Sequence, residues 1–366
     1  MDQLEVRVPG PTPLPPQVRQ ALSRPMVSHR SQAFRDLLHG LDLRIRPMLG
    51  TQQEVLFLTA SGTGGLEAAI CNTIEAGDRV LSLSTGYFGE RFAGIAARYG
   101  AKVDYLRARP GATVDAGAVA ARLSTASFRA VLVTHSETST GVLNPVGEIA
   151  RVVNEASNRP LLLLDGVSSL GAVPLAMDTL NVDVVVTASQ KAWMTPPGLA
   201  MVALSDRAWE RASGCTSPRY YFDLAAARDS ALRGETPWTP GVSLLYGLEA
   251  ALGLMEAEGF ERVTARHLRL AARVREGLVQ LGFSLVAAPG FESPTVTAAY
   301  LPAGVEAHQL TACLERDFGI QIAGGQADLK GRIIRIGHMG YIGEDNVTNL
   351  LRSIESALAL IREEVR

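Results

Sequence analysis

Lys191 ends the run Val184-Val185-Val186-Thr187-Ala188-Ser189-Gln190-Lys191, just before Pro196-Pro197-Gly198. The chain carries three lysines against 32 arginines, so ordinary surface charge is supplied by arginine. A lysine kept at a strand end points to a need for an amine. A guanidinium stays protonated, whereas a desolvated lysine can act as a neutral nucleophile and form a Schiff base. The plain alternative is a solvated residue leaving a strand. Asp165 closes Leu161-Leu162-Leu163-Leu164 and precedes Gly166-Val167-Ser168-Ser169. A carboxylate there is costly to bury without a partner. It could serve as a helix N-cap, a metal ligand or the counter-ion of a heterocyclic cation. Ala60-Ser61-Gly62-Thr63-Gly64-Gly65 joins a strand to a helix with small residues, hydroxyls and free N–H groups, the ingredients of a phosphate cradle. It matches neither a Walker A motif nor GxGxxG. A fourth polar group, His135-Ser136-Glu137-Thr138-Ser139-Thr140-Gly141, is either a hydrogen-bonded turn or a ligand-contacting loop.

The elements that must position these groups alternate between residues 55 and 205. Strands are expected at Val55–Thr59, Arg79–Leu83, Lys102–Leu106, Ala130–Thr134, Leu161–Asp165, Val184–Ala188 and Leu199–Leu204. Helices are expected at Gly65–Glu75, Glu90–Tyr99, Ala116–Leu123 and Val146–Ser157. Strand runs that are apolar throughout indicate burial on both faces of a mainly parallel sheet. The last two strands are joined too closely for a helical crossover, so one should be antiparallel. The fold class is α/β, a mixed sheet between helices. In such sheets ligands collect beyond the carboxyl ends of the strands, where all four polar groups fall. Past residue 245 the pattern becomes a smaller α+β unit, with helices Leu244–Glu258, Phe260–Leu281, Ala307–Asp317 and Glu344–Glu364. Short strands at Ser284–Ala287, Thr295–Tyr300, Gln321–Ala323 and Arg332–Gly337 lie between them. The expected organisation is an extended, proline-rich arm (1–15), a large unit (16–245) and a small unit (246–366).

Composition narrows the classes. A formal charge of −2 offers no attraction to nucleic acid or an anionic membrane. Three distant cysteines, Cys71, Cys215 and Cys313, form neither a disulfide framework nor a CxxC pattern. His29, His135 and His338 lack a correctly spaced second ligand and are read as structural, so no metal is expected. The first residues lack the basic and apolar regions of a signal peptide, and no apolar run could span a bilayer. A cytoplasmic location is expected.

An amine, a carboxylate, a phosphate-type turn and a hydroxyl cluster at one rim are the set that pyridoxal 5′-phosphate (PLP) requires. The chain resembles class V aminotransferases of PLP fold type I, in particular the alanine–glyoxylate and serine–glyoxylate group. The resemblance runs from Pro9-Gly10-Pro11-Thr12 through Ser28-His29-Arg30-Ser31, Ser61-Gly62-Thr63, Gly89-Glu90-Arg91, Glu137-Thr138-Ser139-Thr140-Gly141 and Asp165-Gly166-Val167-Ser168-Ser169. It continues through Ser189-Gln190-Lys191, Thr236-Pro237-Trp238-Thr239-Pro240 and Arg335-Ile336-Gly337. It implies that Lys191 holds PLP and moves the proton between substrate Cα and cofactor C4′, while Asp165 pairs with the ring N–H. It also implies that Val167 and Phe88 flank the ring, and that Ser61, Gly62, Thr63 and Gln190 bind the phosphate. Thr138 would reach the ring substituents. Thr239 and Thr236 would approach the phosphate from a second subunit, which makes a homodimer the expected state. Arg335 would take the substrate carboxylate, with Gly10 and Arg30 as further substrate contacts.

The implied reaction is a ping-pong transamination from alanine or serine to a 2-oxo acid such as glyoxylate. 2-Aminoethylphosphonate and ureidoglycine are alternative donors. A cysteine desulfurase is a weaker match, because Cys313 falls in a helical rather than a loop sequence. A non-catalytic binding subunit of the same fold is the reading from another class.

Overall fold

A computed structural model describes residues 4–364 of the chain. Seven strands form one sheet in the spatial order Val55–Leu58, Ala200–Leu204, Val184–Ala188, Leu161–Asp165, Ala130–Thr134, Arg79–Ser84, Lys102–Arg107. Five of them, from Val184–Ala188 to Lys102–Arg107, run parallel. Ala200–Leu204 is antiparallel to both of its neighbours, as the short connection before it requires.

The sheet is buried on both faces because its strands have no polar alternation. Leu81, Val131, Leu162, Val185 and Met201 pack into one core with the helix Gln32–Leu49. Val80, Leu132, Leu163, Val186 and Val202 pack on the other side, against the helices Gly62–Thr73 and Tyr87–Arg98. Each buried aliphatic side chain contributes about 1.5–3 kcal/mol of transfer free energy, so the sheet is a rigid base for anything mounted on its edge.

A second, antiparallel sheet has the order Ser284–Leu285, Val296–Tyr300, Ile333–Gly337, Ala323–Gly324. It shares a separate core with the helices Phe260–Gln280, Ala307–Phe318 and Glu344–Glu364. The expected division at 245/246 falls inside the helix Val242–Glu258. Leu248, Ala251, Leu252 and Met255 of that helix belong to the first core, so the change of core comes later, between Val263 and Leu270.

The N-terminal arm links the two sheets. Glu5–Val6 is a two-residue strand parallel to Ile320–Gln321, and Gly337 N–H donates to Arg7 O at 2.7 Å. Further on, Thr12 N–H donates to Gln190 O (3.1 Å) and its hydroxyl to Lys191 O (2.9 Å). Prolines keep this segment extended, and Pro16 then starts the helix Pro16–Ala21.

Candidate active site

Lys191 lies in the connection between the antiparallel strands Val184–Ala188 and Ala200–Leu204, and that connection is tied down at several points. Ser189 N–H donates to Leu199 O and its hydroxyl to Pro196 O, at 3.0 and 2.6 Å. Trp193, fully buried, donates from Nε1 to Thr187 Oγ1 at 2.8 Å. The Lys191 side chain is 9% exposed and donates from Nζ to Pro9 O in the arm. A Cβ on Gly10 (φ +113°) would lie 2.6 Å from that Nζ. Only glycine lets the arm pass so close to the amine.

Asp165 ends its strand with its carboxylate buried and held by the next turn. Val167 N–H donates to Oδ1 at 3.0 Å, and the Thr134 hydroxyl makes a longer contact with Oδ2 at 3.5 Å. The Val167 side chain covers Gly62, where a Cβ would come 2.7 Å from Val167 Cγ2. The turn Ser61–Thr63 therefore sits directly against the Asp165 turn, at the start of the helix Gly62–Thr73.

Burial pushes the Lys191 amine down to about 8; the Asp165 carboxylate opposes this, and the guanidinium groups of Arg335 and Arg91 add to it. Burial pushes the Asp165 carboxyl up to about 6, against the pull of Val167 N–H, Lys191 and Thr134 and with the charge of Glu137. At pH 7 about a tenth of such amines are neutral, against about one in three thousand for an unperturbed lysine. In cofactor-free protein, condensation of an aldehyde with Lys191 should accelerate as pH rises through about 8 and level off above it. Stopped-flow absorbance across pH 6–11 checks this, and a midpoint near the ordinary lysine value would contradict it.

Glu137 is fully buried and organises the aromatic side of the site. Its Oε1 accepts from Ser139 N–H (3.0 Å) and Oγ (2.6 Å), and its Oε2 from Phe88 and Gly89 N–H (3.0 Å each). It thereby caps the helix Tyr87–Arg98, whose N-terminal residue Gly86 has no side-chain cap. Burial raises this carboxyl while Ser139, Gly89 and Phe88 pull it back. Glu137→Gln would turn an amide N–H₂ toward one of these donor pairs. A loss of about 1–3 kcal/mol in denaturant unfolding is expected, and unchanged stability would show that the cap is dispensable.

Arg335 lies in Ile333–Gly337, opposite Ala298 on one side and Ala323 on the other. It is 7% exposed, and its hydrogen bonds go to Gly324 O (2.8 Å), Gln326 Oε1 (3.1 Å) and Thr138 O (3.4 Å). All three acceptors are neutral, so the fork is held in place without an ion pair; burial lowers its pKa, and the charge of Glu137 opposes that. Gln190 Oε1 is likewise buried without a hydrogen-bond partner. An unmet acceptor suits a donor rather than an anion, so Gln190 would meet a phosphate only with its amide turned to present N–H₂, whereas the Arg335 fork and the free donors of the Ser61–Thr63 turn fit an anionic ligand beside Lys191.

A family model described as "Aminotransferase class-V" matches residues 10–350. The chain belongs to the class V aminotransferases. It is similar over its length to a Synechococcus protein named "Soluble hydrogenase, small subunit" (40% identical, covering 98% of this chain and 94% of that one). It is also similar to an L-aspartate–glyoxylate aminotransferase of Paracoccus denitrificans (35% identical, 98% and 91%). Among solved structures, an alanine–glyoxylate aminotransferase from Nostoc sp. superposes with a TM-score of 0.94 (29% identical, 98% and 96%). This class V enzyme is therefore a PLP-dependent aminotransferase of fold type I. When bound, PLP supplies an aldehyde for amino groups and a ring that takes up the electron pair released at Cα.

The structure groups some expected residues around Lys191 and separates others. Gly10 and Asp165 lie against Lys191 or act on it, Val167 and Gly62 sit beside Asp165, and Thr138 O bonds Arg335. Arg30, Thr236 and Thr239 lie elsewhere in the single chain. Arg30 bonds Glu235 at 2.6 Å and Thr236 O at 3.0 Å. The Thr236 hydroxyl donates to Trp238 O, and Thr239 is exposed on the same loop. Of the histidines, His338 is held between Thr297 Oγ1 and Pro294 O. Cys313 is buried in the helix Ala307–Phe318 and beside Asp317, unlike a nucleophile on a mobile loop. No helix among the described residues is long and apolar enough to cross a membrane.

Two groups had no assigned role in the sequence reading. Glu137 was part of a polar motif, but the helix it caps begins about fifty positions away. Arg91 was part of a motif too; its spacing of three from Phe88 was the available signal.

Proposed function

We propose that the chain transfers the amino group of a small amino acid, alanine or serine, to a 2-oxo acid such as glyoxylate, in two half-reactions. The observation that carries this reading is the buried Lys191 amine, acted on by Asp165 and by a fork at Arg335 that forms no ion pair with a carboxylate. Lys191 Nζ would hold the cofactor, take the proton from substrate Cα and return it at cofactor C4′. Asp165 would keep the ring nitrogen protonated, and Phe88 and Val167 would confine the ring. Ser61, Gly62, Thr63 and Gln190 would receive the phosphate, and Thr138 the ring substituents. Arg335 would align the substrate carboxylate through a two-pronged contact, with Gly10 closing the site from the arm.

Glyoxylate as acceptor is supported by the names of two of the relatives above. Aspartate is the second donor reading, favoured by the Paracoccus relative. A screen of alanine, serine, aspartate, 2-aminoethylphosphonate and ureidoglycine against glyoxylate, pyruvate and 2-oxoglutarate tests the proposal. Alanine or serine with glyoxylate should give the highest kcat/KM; a clear preference for another pair would replace the reading.

The same reading divides the chain into an arm (1–15), a large cofactor-binding unit and a small unit carrying Arg335. It also places a second copy at the rim bearing Arg30, Thr236 and Thr239. Tyr220 stacks on Trp238 there at 4.7 Å and is 76% exposed, and exposed aromatic clusters favour partner contact. Light scattering should give a dimer, and a monomer at full activity would refute the shared site. Three buried cysteines without disulfides accord with a cytoplasmic location.

A further inference from the structure

Arg91 is a half-buried arginine whose charge nothing in the described chain answers. Every other described arginine that is not exposed bonds a carboxylate or a backbone carbonyl. The one hydrogen bond of Arg91 is a long one, Nη1 to Thr63 Oγ1 at 3.4 Å. The adjacent carboxylate, Glu90, is committed to Arg107 by two contacts of 2.8 and 3.0 Å. Glu137, a buried acid that anchors the same helix start, is saturated by the helix cap.

The guanidinium is nonetheless held in place. It lies over the Phe88 ring at 4.8 Å and the Tyr87 ring at 5.2 Å from the centroids. Residues three and four apart share a helix face, so Phe88, Tyr87 and Arg91 form one block, and Glu137 anchors that block through Phe88 N–H. The charge of Arg91 reaches Lys191, whose amine it helps push down. Arg91 therefore touches the Ser61-Gly62-Thr63 turn at Thr63, on the aromatic side of the site. A partly desolvated guanidinium with one long contact is unfavourable unless an anion meets it. The turn itself offers only neutral donors, whereas a phosphate monoester carries about −1.5 to −2 charges at neutral pH.

We propose that Arg91 is the counter-charge of the cofactor's phosphate, approaching it beside Thr63 with the Phe88 ring as the platform that fixes the guanidinium. The proposal rests on the assignment of Lys191 and the Ser61–Thr63 turn to the PLP site. Cofactor-free wild-type, Arg91→Gln and Arg91→Lys proteins are titrated with PLP and with pyridoxal, which keeps the ring and aldehyde but lacks the phosphate. The absorbance of the Lys191-linked ligand is followed.

The dissociation constant for PLP should rise about 10- to 100-fold in Arg91→Gln, the size of one charge-assisted contact. Most of this should be restored in Arg91→Lys, while the constant for pyridoxal moves less than about twofold. Equal weakening of both ligands would make Arg91 a structural support of Phe88 and overturn the proposal. No change in either would overturn it as well, as would an effect confined to the KM of a dicarboxylic donor. Should Arg91→Gln fail to fold, Arg91→Met, which keeps an apolar stem on the Phe88 ring and removes the charge, takes its place with the same expected and overturning results. A wild-type protein that bound neither ligand at Lys191 would refute the site assignment itself.

Discussion

Lys191→Ala is expected to lower turnover by about 10⁴-fold or more, since the base at Cα and the anchoring amine are lost together. The absorbance of the Lys191-linked cofactor should disappear with it. Lys191→Arg separates the two properties of the residue. It keeps a cation beside Asp165, yet a guanidinium cannot shed its proton near neutral pH, so it should be as inactive as the alanine variant. The chain's own preference for arginine makes this comparison pointed. If charge alone were wanted between Asp165 and Pro9 O, arginine would be the residue this sequence ordinarily uses. Measurable activity in Lys191→Arg would mean that the amine is not the reactive group.

Asp165→Asn is expected to lower turnover by about 10²–10³-fold while leaving the fold intact, because an amide cannot hold the ring nitrogen in its protonated form. The stability of the cofactor-free protein should move in the opposite direction. The folded-state carboxyl is raised from 3.8 to about 6, so folding favours its protonated form. The resulting penalty is absent below about pH 4, grows between pH 4 and 6 and is complete above 6. Removing the charge should therefore raise the unfolding free energy above pH 6, by up to about 3 kcal/mol, and leave it unchanged below pH 4. Urea unfolding at pH 4 and pH 8 measures the difference. A variant less stable at pH 8 than wild type would show that the carboxylate is a structural tie.

The large sheet was legible because its strands are apolar on both faces, leaving few other structures for runs such as Leu161–Leu164 or Val184–Val186. Its C-terminal rim followed from chain order, and with it the placement of Lys191, Asp165 and the Ser61–Thr63 turn. The end of the large core was not legible. The helix Val242–Glu258 is apolar nearly all round, and its sequence does not say which core it joins. The arm was readable as extended but not as a strand beside Ile320–Gln321, since a two-residue pairing leaves no periodic signal. Glu137 and Arg91 were hidden for a different reason. One is defined by the N–H groups of a distant helix and the other by having no acid paired with it among the described residues. Neither property belongs to a local stretch of sequence. Arg30, Thr236 and Thr239 cluster about one loop of a single chain, Arg30 and Thr239 exposed and Thr236 buried, so their bearing on the site depends on a second copy.

Lys191 and Asp165 would together carry an amino-transfer half-reaction on a small amino acid. Mixing the PLP-loaded protein with excess alanine or serine, without any acceptor, should convert the cofactor to pyridoxamine phosphate and release one equivalent of 2-oxo acid per site. Glyoxylate should then restore the original spectrum. A protein that binds these donors yet releases no 2-oxo acid and leaves its cofactor unconverted would contradict amino transfer at Lys191.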